Sequence, residues 1–217
     1  AKGLPEDFLR SLGVTDGFAG VPSSRRLCVD IAYADESGEV KALRKRLSMD
    51  GPSRFIWRRG DKTILYGLPY LAEIRRIGKV LLVEGETDAW TLWRHRIPAL
   101  GVPGASTWKE RFRFYLEDIE VYVWHEPDDG GDNLLHAVSQ DLPDVRIIEA
   151  PPDAKDPSDL YLLDPDNFKE RMLALIEAAR PFSELRAEAF SAEARECLAK
   201  ARTLLDSPDL LDQLKEA

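Results

Sequence analysis

The chain has 217 residues, 44% hydrophobic, 32% charged and 9% aromatic, which suits one substantial core with a smaller satellite and is too apolar for a disordered chain. No apolar run approaches the roughly 18–20 residues that a membrane span needs, and the two cysteines, Cys28 and Cys197, are too few and too far apart for a disulfide framework or a Cys-rich zinc site. The net charge of −9 is unevenly spread: residues 1–78 hold 14 Lys+Arg against 10 Asp+Glu, whereas residues 79–217 hold 16 against 29.

The opening AKGLPEDFLRSLG has no charged-then-apolar signal pattern, so a cytoplasmic location is expected. Residues 1–20 read as a short helix and a turn. RRLCVDIAYADESGEVKALRKRLS reads as a β-hairpin: Leu27, Val29, Ile31 and Tyr33 alternate with polar neighbours, and ADESGE supplies the turn. SRFIWRR and KTILYGL suggest two more strands about a Gly-Asp turn. Leu68, Leu71, Ile74 and Ile77 have helical spacing, ended by Gly78. Residues 1–78 are therefore expected to form a small basic α+β subdomain.

From Lys79 the rhythm becomes strand, helix, strand, helix. KVLLV, PALGV, IEVYVW and DVRIIEA read as strands, and TDAWTLWRHR, WKERFRFYLED and NLLHAVSQDL as helices. This alternation belongs to an open α/β fold with a mostly parallel sheet flanked by helices, here over 79–160. A helical region follows over 161–217, with NFKERMLALIEAAR, SELRAEAFSAEARECLAKARTLLD and a last amphipathic piece, PDLLDQLKEA. The stretch from 183 onward reads as a packed bundle or as a docking arm.

Three acidic groups fall at strand carboxyl ends, where ligands of such sheets bind. Glu84 and Asp88 follow KVLLV; Glu126, Asp128 and Asp129 follow IEVYVW; Asp153, Asp156 and Asp159 follow DVRIIEA. Single acids there serve as solvated turn or capping residues. Three groups at equivalent ends repel one another unless raised pKa values or cations relieve them. Oxygen ligands with no His or Cys beside them suit Mg²⁺ or Mn²⁺. His95, His125 and His136 lack metal-type spacing, and Trp90 and Trp93, one turn apart, read as helix packing on the sheet. Gly85, Gly130 and Gly131 mark tight turns beside the acids. Arg44, Lys45, Arg46, Arg54, Arg58, Arg59 and Lys62 crowd the preceding segment; they make either an ordinary polar strand face or a surface for phosphates, with Phe55 and Trp57 as stacking candidates.

Glu84-Gly85-x-x-Asp88 after an apolar strand, Glu126-x-Asp128 after another and the Asp156-Pro157-Ser158-Asp159 loop together resemble the TOPRIM domain shared by DnaG-type primases, topoisomerases and some nucleases. The resemblance implies that Glu84 serves acid/base work or metal binding and that Glu84, Glu126, Asp128, Asp156 and Asp159 are the metal set. It also implies that Glu84, Asp88, Glu126 and Asp128 are the catalytic acids. Glu126 stands where the family norm is Asp, and Ser158 stands where primases carry a second acid, with Asp159 the nearest substitute. Ile64-Leu65-Tyr66-Gly67-Leu68, just ahead of a helix, is similar to the primase stretch before TOPRIM.

What this resemblance implies is a phage- or mobile-element-like DNA primase core. Its reaction is template-directed nucleotidyl transfer, with two Mg²⁺ or Mn²⁺ ions as cofactors and nucleoside triphosphates as substrates. Single-stranded DNA is the implied template, a replicative helicase or fused ATPase domain a further partner, and a zinc-binding module is expected upstream. The chain has no room for the strand-passage domains of a topoisomerase and no GxxxxGK[ST] loop. A TOPRIM metal-dependent nuclease and a non-catalytic nucleic-acid-binding or helicase-docking module are the alternatives.

Overall fold

The computed structural model describes residues 2–48 and 54–205, and the amphipathic piece expected at 208–217 lies outside them. Helix α1 (Glu6–Ser11) leads into β1 (Val14–Ala19), β2 (Arg26–Ala34), β3 (Val40–Arg46) and β4 (Phe55–Trp57). These four strands form one antiparallel sheet in sequence order. The expected hairpin is its centre. Strand β1 replaces the turn expected before residue 20, and Gly17 makes this pairing possible because a Cβ there would run into the Asp30 carboxylate of β2.

The second strand expected over 62–68 does not form. Only Tyr66 pairs, exchanging backbone hydrogen bonds with Gly101, and the chain then enters α2 (Leu71–Ile77). Gly78, at φ 76°, ends this helix as expected.

The α/β unit follows as β5 (Lys79–Glu84), α3 (Glu86–Arg94), β6 (Ala99–Val102), β7 (Glu120–His125), α4 (Asp129–Asp141), β8 (Arg146–Glu149), α5 (Pro157–Leu163), α6 (Phe168–Ala178), β9 (Arg180–Pro181) and α7 (Phe182–Leu205). The sheet runs β6-β5-β7-β8-β9, parallel except for the two-residue edge strand β9. The segment 110–116, expected as an α-helix, winds instead as a 3₁₀ helix that buries Phe112 and Leu116. Chain order reverses between β5 and β7, which makes their carboxyl ends the switch point of the sheet.

Alternation along β5 explains why both faces are covered. Val80 and Leu82 join a cluster with Leu65, Leu68, Leu71, Ile74, Leu134 and Val138 on one face. Leu81 and Val83 join Ala89, Trp90, Trp124, Leu160 and Phe168 on the other. Ile31, Tyr33 and Ala42 of the antiparallel sheet belong to this second cluster, so the two sheets share one core. Trp90 and Trp93 do pack helix to sheet: Trp90 Nε1 donates to the Tyr66 hydroxyl at 2.7 Å and Trp93 Nε1 to the Ala99 carbonyl at 3.0 Å. Among the described residues no helix is long and apolar enough to cross a membrane.

Candidate active site

An open cleft of about 410 Å³ lies over the switch point. Its acidic wall comes from the ends of β5, β7 and β8, and its basic wall from β3 and β4. Glu84, Asp88, Glu126, Asp128 and Asp156 line one side; Arg44, Arg46, Arg54 and Phe55 line the other. Five segments spread over more than a hundred residues of sequence, from Arg44 to Asp156, thus meet at one place.

Glu84 is the last residue of β5, and Gly85 next to it has φ 87° and ψ −173°, a conformation essentially closed to side-chain-bearing residues. This turn aims Glu84 into the cleft and starts α3 one residue later. Asp128 caps α4, its Oδ1 accepting from the Gly131 N–H at 3.0 Å. A Cβ on Gly131 would come within 2.1 Å of the Glu126 carbonyl oxygen, so only glycine lets the loop close. Gly130 opens the space between two acids: a Cβ there would meet Asp128 Oδ1 at 3.0 Å and Glu84 Oε2 at 3.4 Å. The expected loop HEPDDGGD is therefore helical from Asp129 onward. Asp156 caps α5 in the same way, its Oδ1 accepting from the Asp159 N–H at 2.7 Å.

Two lysines that sequence reasoning missed bind these acids. Lys155 Nζ lies 2.7 Å from Asp128 Oδ2 and 3.0 Å from Glu126 Oε2. Lys2 Nζ lies 2.6 Å from Asp156 Oδ2 and 3.3 Å from Asp159 Oδ1. Lys155 could have been noticed, since it adjoins Asp156; Lys2 could not, being 154 residues away from it. The hydrogen bonds to Asp128 and Glu126 raise the Lys155 pKa, and the same ammonium, with the Gly131 N–H, lowers that of Asp128. Glu126 is raised, because its burial outweighs Lys155 and because Glu84 and Asp156 are close.

Asp88 is buried beneath this surface. Its Oδ1 accepts from the Ser158 N–H at 3.1 Å and from Ser158 Oγ at 2.6 Å. Burial, followed by the nearby Asp156 charge, pushes its pKa up to about 8. Ser158 is itself fully buried, so Asp159, one residue on and bound to Lys2, does not take its place beside Asp88.

The basic residues divide. Arg44, Arg46 and Arg54 line the cleft, and the Arg44 and Arg46 guanidiniums lie 4.3 and 5.3 Å from the centre of the Phe55 ring. Lys45 points to the opposite face of β3, where it pairs with Asp30 at 2.8 Å. Arg58 pairs with Asp61 at 3.0 Å, and Arg59 and Lys62 are exposed and outside the cleft lining. Trp57 is half-buried against Tyr33, ring centres 4.8 Å apart. His125 ends β7 with its imidazole between Glu149 and Asp132, at 2.8 Å from each.

Among the described residues no three His, Cys, Asp or Glu side chains converge as a ready-made metal cage. The acids come in pairs, and the Lys155 ammonium marks a point where Glu126 and Asp128 already hold a cation. Paired carboxylates fit Mg²⁺, which dehydrates reluctantly and usually takes one or two carboxylates together with substrate phosphates.

The fold is that of the catalytic core of DnaG-type primases. The RNA polymerase domain of Mycobacterium tuberculosis primase DnaG superposes with a TM-score of 0.71 at 16% identity, over 99% of this chain and 87% of that one. A DnaG primase catalytic domain bound to ssDNA gives 0.69 at 19% identity, over 88% and 73%. The Aquifex aeolicus primase, with zinc-binding and RNA polymerase domains, gives 0.66 at 18% identity, over 92% of this chain, which spans only 58% of that one. No family model matches the sequence. The Gene 57 protein of Mycobacterium phage D29 is 36% identical over 131 residues, 58% of this chain and 85% of that protein. The chain belongs to the family of that phage protein.

Proposed function

We propose that the chain is a primase-like nucleotidyltransferase that makes short primers on single-stranded DNA. One observation carries this reading: the acids at three strand ends of the switch point face Arg44, Arg46 and Arg54 across a single open cleft. A site that transfers nucleotides needs both walls, one to hold cations and one to meet the phosphates of substrate and template. The primase-core fold supports the reading, as does the ssDNA bound by the similar DnaG catalytic domain.

In this reaction the 3′-oxygen of the growing primer forms a bond to the α-phosphorus of a nucleoside triphosphate. The bond from that phosphorus to the bridging oxygen breaks, and pyrophosphate leaves. Glu126 and Asp128 would hold Mg²⁺ or Mn²⁺, with Glu84 and Asp156 beside them. When bound, such ions supply Lewis-acid stabilisation to the attacking and leaving oxygens. Glu84, set at the mouth of the turn opposite Gly130, accepts the proton of the primer hydroxyl directly or through water. Asp88 orients the α5 loop through Ser158 and so fixes where Asp156 stands. Arg46 and Arg54 meet phosphates, and Phe55, backed by guanidiniums, offers a face for a base. Primer synthesis on defined single-stranded templates, with and without Mn²⁺ or Mg²⁺, tests the proposal. Template cleavage in the absence of nucleotides would point to a nuclease.

A further inference from the structure

Lys155 is placed unlike an ordinary surface lysine. Its backbone is fixed, because the indole of fully buried Trp124 donates to the Lys155 carbonyl at 2.9 Å. Its side chain is 51% exposed, yet the ammonium touches both carboxylates of the β7 loop. Its pair with half-exposed Asp128 contributes little to folding, and its pair with buried Glu126 offsets only part of the burial of that carboxylate. The acids it binds are the pair assigned to the divalent ion, and the inference rests on that assignment.

We propose that Lys155 is a built-in competitor for the divalent cation, whose ammonium must leave Glu126 and Asp128 before the ion is held there. Glu126 Oε2 and Asp128 Oδ2 are the oxygens it binds. An ion of charge +2 bound to the same oxygens would lie within about 4 Å of the ammonium, where like charges repel strongly. The four-carbon stem, anchored at a fixed backbone and half in solvent, lets the ammonium swing clear without moving the loop. The affinity of the site for divalent ions is therefore set in part by one lysine, and neutralising it tightens binding.

The test is a Mn²⁺ titration followed by electron paramagnetic resonance on the nucleotide-free protein, comparing wild type, Lys155→Gln and Asp128→Asn. Lys155→Gln is expected to bind Mn²⁺ about three- to tenfold more tightly, the scale of losing a half-exposed ionic competitor. Asp128→Asn is expected to bind more weakly than wild type. The Mn²⁺-induced rise in melting temperature should also be larger in Lys155→Gln than in wild type, which reports cation binding without activity. Equal or weaker binding by Lys155→Gln, with Asp128→Asn still impaired, overturns the competition and leaves the cation assignment standing. Unimpaired binding by Asp128→Asn overturns the assignment, and the competition with it.

Discussion

Arg44 reaches from the antiparallel sheet to Glu86 at the start of α3, its Nη1 donating to Glu86 Oε1 at 2.9 Å. The Tyr33 hydroxyl donates to the same oxygen at 2.5 Å. The side chains are only 12% and 3% exposed. In the sequence Glu84, Glu86 and Asp88 are three clustered acids; in the fold each has a different partner. Glu84 faces the cleft, Glu86 ties the antiparallel sheet to α3 and Asp88 holds Ser158.

Removing one member of the Arg44–Glu86 pair leaves a buried charge uncompensated. Glu86→Ala should therefore lose about 3–5 kcal/mol of unfolding free energy in urea, whereas Arg44→Met combined with Glu86→Leu should recover much of that loss. A loss under about 1 kcal/mol for Glu86→Ala would mean that the pair is not buried in solution.

Asp88 gives the protein a pH dependence. Its folded pKa is raised, so the folded state holds a proton that the unfolded chain has released. The stabilisation is complete below the unfolded value of about 4 and is lost as pH rises towards about 8. In EDTA, the melting temperature of wild type should fall over this window more steeply than that of Asp88→Asn. Parallel pH profiles for the two proteins would contradict the burial of an ionisable Asp88.

Gly131 has no room for a methyl group. Gly131→Ala sets a Cβ 2.1 Å from the Glu126 carbonyl and should destabilise the fold by about 1–3 kcal/mol, read from urea unfolding. Gly130→Ala, whose nearest contact is Asp128 Oδ1 at 3.0 Å, should cost less stability and act mainly on the acids.

The division of the basic residues predicts unequal roles in DNA binding. Arg54→Ala should weaken binding to single-stranded DNA and reduce the salt slope by about 0.7, the share of one phosphate contact. Arg58→Ala should change neither appreciably, since Arg58 is paired with Asp61 outside the cleft. Fluorescence anisotropy at several salt concentrations separates the two.

The α/β unit was legible because short apolar runs ending in acids are unusual enough to mark strand ends at a sheet's edge. Glu84, Glu126 and Asp156 do meet at one cleft. The less legible parts have identifiable causes. Strand β1 contains Asp16 and Gly17 and shows no clean alternation, since its Gly17 serves a close approach to Asp30. Strand β9 is two residues long and ends in Pro181, too little for a periodic signal. Phe112 and Leu116 are four apart, as in an α-helix, although the backbone winds as 3₁₀. Seven basic residues within 19 positions looked like one surface, but strand alternation and local partners such as Asp30 and Asp61 drew some of them away. Lys2 meets Asp156 only through the tertiary fold, which no local pattern encodes.

The most direct measurement of the central proposal is primer synthesis on single-stranded templates with labelled nucleoside triphosphates and Mg²⁺ or Mn²⁺. It should compare wild type with Asp128→Asn, both shown to be folded by circular dichroism. Wild type should yield short template-dependent products that EDTA abolishes, and Asp128→Asn should yield about a hundredfold less or none. Equal product from Asp128→Asn and wild type would contradict the account.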